Sequence, residues 1–121
     1  MSSNYLLAID CGTQSVRALV FDLGGHLVDK AQVALDSYTT PEPGWVESDP
    51  EDFWRALCQA CQHLWANTSV PKSAIRGVVL TTQRATVVNL DAQGRPLRPA
   101  IVWLDQRRSD ADPKLAPWWE I

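Results

Sequence analysis

The sequence predicts an α/β domain built on a mixed sheet, and three observations carry that prediction. Three short apolar runs open the chain, separated by tight-turn compositions: Tyr5-Leu6-Leu7-Ala8-Ile9, Ala18-Leu19-Val20-Phe21 and residues 27–35. A helix-start signal at Asp49 then opens an amphipathic stretch. Beyond it, Ile75 to Leu80 is apolar almost throughout, apart from Arg76 and Gly77.

Each element has its own justification. The first three strands are expected at 5–10, 16–22 and 27–35, and short turns between them make an antiparallel meander. Asp22-Leu23-Gly24-Gly25-His26 is the second of these turns, and His26 has no obvious partner in it. A polar, Pro-rich connection follows over 36–48. Asp49 suits an N-cap, Pro50 the first helical turn, and Glu51 and Asp52 the positive end of the helix dipole. Apolar side chains at Phe53, Trp54, Leu57, Cys58, Cys61, Leu64 and Trp65 fall on one face of a helix to about residue 66, which should lie across the sheet. The apolar run from Ile75 fits a buried, central parallel strand. Residues 86–90, the turn Asp91-Ala92-Gln93-Gly94 and a segment toward Ala100-Ile101-Val102-Trp103 read as a hairpin.

Composition narrows the class. The chain has 121 residues, enough for one domain with its own core. Hydrophobic content of 45% and charged content of 21% are those of an ordinary globular protein. The net charge of −3 gives no general attraction to nucleic acid or to an anionic membrane. Residues 76–108 nonetheless carry six Arg against Asp91 and Asp105. That local excess suits a phosphorylated ligand, but a solvated face is the commoner cause and is expected for most of these Arg residues. The N-terminus has no basic stretch followed by a long apolar core, and no apolar run is long enough to span a bilayer. Three cysteines are an odd set for a disulfide framework, and a reducing cytoplasm is expected. Cys58-x-x-Cys61 has no second pair and falls on the apolar helix face, so it reads as small hydrophobic packing rather than a redox or zinc motif.

The chemistry concentrates at Ile9-Asp10-Cys11-Gly12-Thr13-Gln14-Ser15-Val16-Arg17, a turn held between two apolar strands. A carboxylate at a strand end can hold Mg²⁺, usually through water. Backbone N–H groups at a Gly-containing turn, with hydroxyls beside them, can hold phosphate oxygens. Arg17 can add a charge-assisted contact. Turns of this composition also occur without any ligand. Neither the Walker A nor the dinucleotide fingerprint is present.

Residues 5–22 resemble the first phosphate motif of the actin/Hsp70/sugar-kinase superfamily. Three further segments narrow the resemblance to the FGGY carbohydrate kinases, a family that includes glycerol kinase and xylulose kinase. They are Pro43-Gly44-Trp45-Val46-Glu47-Ser48-Asp49-Pro50, Gly77-Val78-Val79-Leu80-Thr81-Thr82-Gln83-Arg84 and Pro99-Ala100-Ile101-Val102-Trp103-Leu104-Asp105-Gln106-Arg107-Arg108. The resemblance implies an incomplete ribonuclease-H-like fold, with residues 1–121 forming the first part of the N-terminal domain of a longer two-domain enzyme. Two terminal Trp, Trp118 and Trp119, fit that expectation, since large apolar groups call for a packing surface.

The implied activity is transfer of the γ-phosphate of ATP to a sugar or polyol hydroxyl, with Mg²⁺. Asp10 would serve the metal and catalysis; Gly12, Thr13, Gln14, Ser15 and Arg17 would serve the nucleotide phosphates. Gln83 and Arg84 would hold the sugar at a strand's carboxyl end. Trp103 and Asp105 would line the same cleft, while Asp105 and Arg107 have the alternative of pairing with each other. In glycerol kinase the matching segment reads Gln-Arg-Glu; here Ala85 stands at the third position and accepts no hydrogen bond from a hydroxyl. That favours a pentose-sized or larger substrate over glycerol. The family's general base and adenine pocket come from later in its chains, so the 121 residues alone are expected to be inactive. The expected partners are ATP, a small sugar or polyol, the remainder of the kinase and, as an open option, a second copy. A non-catalytic binding or assembly module of the same fold is the alternative.

Overall fold

The structure is a computed structural model that describes residues 4–108. The Trp118-Trp119 expectation lies outside the described residues. Strands β1 (Tyr5–Cys11), β2 (Ser15–Asp22) and β3 (Leu27–Ala34) form the expected antiparallel meander. Helix α1 (Pro50–Asn67) crosses over, and β5 (Ile75–Thr81) returns parallel to β1. The sheet order is β3-β2-β1-β5. A short pair, β4 (Glu47–Ser48) with β6 (Ala100–Ile101), makes a separate two-stranded sheet.

The core follows from period-two alternation in β2. Val16, Ala18 and Val20 turn to the helix side and are fully buried, with Leu7 of β1 beside them. Ala56, Ala60 and Leu64 of α1 close over them, flanked by Leu57, Cys61 and Trp65. Spacing by four residues puts those three on one helix face. The expected face was drawn from larger side chains, and Trp54 departs from it at 62% exposed. Alanines let the helix approach the sheet closely, so the buried stripe is centred on them. Asp49 caps the helix by accepting from the Glu51 N–H at 2.9 Å.

Three further expectations differ from what the described residues show. β5 pairs with β1 as expected, but among the described residues no strand lies on its other side, and Val78, Val79 and Leu80 are 64%, 54% and 53% exposed. The helix packs mainly over β2 and β3, and of β5 only Ile75 packs against the core cluster among the described residues. The 86–103 segment is only loosely a hairpin, with single bridges Leu90↔Pro96 and Val87↔Ile101. Its last residues instead pair with β4. His26 does have a partner: its Nδ1 lies 3.0 Å from Asp22 Oδ2 across the turn. Among the described residues no helix is long and apolar enough to cross a membrane.

Candidate functional site

The site lies on the sheet face opposite α1. Asp10 alternates with the core-facing Ile9 and Cys11, so its carboxylate projects away from the helix. It stands directly across from Arg17 on β2 and from Thr81 on β5. Arg17 Nη1 donates to Asp10 Oδ2 at 2.7 Å, and Thr81 Oγ1 donates to Asp10 Oδ1 at 2.7 Å. The Thr81 bond, with Arg17 next, holds the Asp10 carboxyl below its ordinary range.

The β1–β2 turn is pinned from three directions. Gly12 N–H donates to the Ser15 carbonyl at 3.1 Å. A side chain at position 12 would meet that carbonyl oxygen at 3.1 Å, which explains glycine there. Tyr38 donates its hydroxyl to the Thr13 carbonyl at 2.5 Å, and Leu35 N–H donates to the Gln14 carbonyl at 2.9 Å. The Gln14 side chain is exposed. Ser15 is buried, and its hydroxyl accepts from the Gln32 amide at 3.1 Å. The Ser15 side chain therefore faces β3 rather than the cleft expected from sequence.

An open cleft of about 690 Å³ joins this turn to the loop after β5. Asp10, Cys11, Gly12 and Thr13 form one wall, and Gln83, Arg84, Ala85 and Trp103 the other. Gln83 ties the walls together: its Nε2 donates to the Gly12 carbonyl at 2.8 Å, and its Oε1 accepts from Thr86 at 3.0 Å. Both ends of that amide are engaged by the protein, a role its position in the sequence does not disclose. Among the described residues no ion pair holds Arg84, so its guanidinium is free to meet a ligand. Ala85 sits at φ 58°, a left-handed conformation that costs a non-glycine residue about 1–2 kcal/mol. The other Arg residues of the basic segment are largely absorbed: Arg76 donates to Asn4, Arg95 to Asp91, and Arg98 to Asn89.

Asp105 does not line the cleft, a correction to its expected place there. Its side chain is 3% exposed; it accepts from Arg107 at 2.6 Å and from the Val46 N–H at 2.7 Å. Arg107 also donates to Glu47 at 2.9 Å and stacks on Trp45 at 3.9 Å. The Arg107 bond, with those backbone bonds, holds the Asp105 carboxyl well below the usual carboxylate range. The group fastens residues 45–47 to 105–107 beside the short sheet. Cys11, Cys58 and Cys61 are free and half-buried. Burial pushes the Cys11 and Cys61 thiols up, which lowers their thiolate fraction.

The family model described as the FGGY family of carbohydrate kinases, N-terminal domain, matches residues 5–116. The chain belongs to the FGGY family of carbohydrate kinases. A glycerol kinase from Acidovorax sp. (strain JS42) is 43% identical over 108 residues, which is 88% of this chain and 22% of that protein. A solved xyloylose kinase from Brucella ovis matches with a TM-score of 0.80 and 38% identity, over 86% of this chain and 22% of its own. A Plasmodium falciparum glycerol kinase, solved with ADP, matches with a TM-score of 0.70 and 32% identity, over 87% of this chain and 21% of its own. The chain thus spans about a fifth of the length of the relatives it matches. The four-stranded mixed sheet with its crossing helix is part of the ribonuclease-H-like domain of this superfamily.

Proposed function

We propose that this chain is the first part of a cytoplasmic, ATP-dependent carbohydrate kinase that transfers the γ-phosphate of ATP to a sugar or polyol hydroxyl. The observation that carries the reading is the single cleft in which Asp10 and the Gly12–Thr13 turn face Arg84 and Trp103. Family membership supports phosphate chemistry on the first wall and sugar binding on the second.

The residues fit magnesium in one particular way. Among the described residues no group of three or more His, Cys, Asp or Glu is placed to hold a metal ion. Magnesium keeps several waters and takes one or two carboxylates plus substrate phosphates, so Asp10 alone is a sufficient protein contribution. When bound, the ion neutralises charge on the β- and γ-phosphate oxygens. Backbone N–H groups of the turn and the Arg17 guanidinium beside Asp10 would orient the phosphates. Arg84 would hold substrate hydroxyls through charge-assisted hydrogen bonds. The exposed Trp103 ring offers an apolar wall for the sugar. The proton of the attacking hydroxyl would pass to a carboxylate supplied by the remainder of the kinase.

Similar proteins include both glycerol and xylulose kinases, so similarity does not choose between substrates. Ala85 lines the cleft beside Arg84 and accepts nothing from a hydroxyl. It supports a pentose-sized or larger substrate. The test is kcat/KM of the full-length protein, with ATP and Mg²⁺, for glycerol, ketopentoses and pentitols. A pentose-sized substrate should be best, and Asp10→Ala should cut kcat about 10²–10³-fold. Glycerol as best substrate overturns the size preference. No phosphorylated product from any sugar or polyol overturns the kinase reading.

A further inference from the structure

Arg17, Asp10 and Thr81 occupy one rung across three neighbouring strands, β2, β1 and β5. The central carboxylate gives one oxygen to each neighbour, both at 2.7 Å. A carboxylate has about four acceptor sites, two on each oxygen. One site per oxygen therefore remains for other donors. Among the described residues Thr81 ends the last strand of the sheet and is solvent-exposed, so water is available to its hydroxyl. Its bond to Asp10 is thus not forced by burial. Threonine is also stiff about χ1, which makes its hydroxyl a firm anchor.

We infer that Thr81 is a positioning residue for Asp10: with Arg17 on the opposite side, it fixes the carboxylate plane so that the free acceptor site of each oxygen meets cation-bound water. This rests on the reading of Asp10 as the cation-holding residue. Partners that orient a metal-binding carboxylate typically change metal affinity 10- to 100-fold when removed. Valine keeps the shape and β-branching of threonine and lacks the donor; serine keeps the donor.

The experiment uses the full-length protein with Mn²⁺ as the probe, in the presence of ADP and without sugar. Bound Mn²⁺ is read from loss of the free-ion electron paramagnetic resonance signal, and thermal melting reports the fold. Thr81→Val should weaken Mn²⁺ binding about 10- to 100-fold, and Thr81→Ser should recover most of it. Thr81→Ala supplies the same comparison if the valine variant melts early. Two results overturn the inference while leaving Asp10 in its role: Thr81→Val and Thr81→Ala binding Mn²⁺ as tightly as wild type, or Thr81→Ser binding as weakly as they do. Wild-type affinity in Asp10→Ala overturns the underlying reading, and this inference with it.

Discussion

Arg84 projects into the cleft with no ion pair among the described residues, and the next residue, Ala85, holds a left-handed backbone. Both residues line the cleft, which leaves the guanidinium in reach of a ligand there. Arg84→Ala should therefore raise KM for the sugar and leave KM for ATP nearly unchanged. Losing a charged donor costs roughly 1.5–3 kcal/mol, or about 10- to 150-fold. An unchanged sugar KM would assign Arg84 to the scaffold. Asp10, near the end of β1, and Arg84, just past β5, both line the cleft, and their place beside apolar runs was visible in the sequence. Ser15 and Asp105 were not so legible. Their side chains are claimed by Gln32 and Arg107, partners 17 and two residues away, and side-chain direction is set by those contacts rather than by residue type.

Gln83 works at the level of elements, since it links the β1–β2 turn to the loop after β5. A residue that only touched sugar would affect sugar alone. A strut between the walls should affect both ligands, so Gln83→Ala should raise KM for ATP and for sugar together. One lost hydrogen bond of about 0.5–1.5 kcal/mol corresponds to roughly 2- to 12-fold in each. A change confined to sugar would remove the strut and make Gln83 a binding residue. The Asp105–Arg107 fastening makes a pH prediction. Because Asp105 titrates below its unfolded value, its ionised form contributes stability that is complete above the unfolded carboxylate range near pH ~3.9 and fades as pH falls toward the depressed folded value. The melting-temperature gap between wild type and Asp105→Asn, measured in the full-length protein, should narrow below about pH 4. A gap that stays constant into acid would mean that the carboxylate charge contributes nothing. The elements themselves were largely readable: turn chemistry bounded β1 to β3, and Asp49-Pro50 marked the helix start. The exposure of β5 among the described residues was not, because an apolar run records that a strand wants cover without saying which element supplies it.

At the scale of the molecule, the described residues form two walls, Asp10 to Thr13 on one side and Gln83 to Ala85 with Trp103 on the other, and the cleft between them is open. Positioning and electrostatic stabilisation are what phosphoryl transfer requires. The 121-residue chain by itself should show no measurable sugar kinase turnover, because among the described residues Asp10 is the one carboxylate lining the cleft and none is left to act as proton acceptor. ATP- and Mg²⁺-dependent phosphorylation by the pure chain, abolished in Asp10→Ala, would refute that expectation.

The placement of β1 between β2 and β5 has a consequence in time. β2 lies a few residues along the chain and can zip against β1 within microseconds, as hairpins do. β5 arrives only after a crossover of more than sixty residues, including α1, has been formed and closed. Asp10 thus acquires Arg17 early and Thr81 late. Until the second partner docks, one edge of β1 is an unpaired ladder of N–H and C=O groups open to any passing strand. The slow step that seals this edge is the same step that finishes the site.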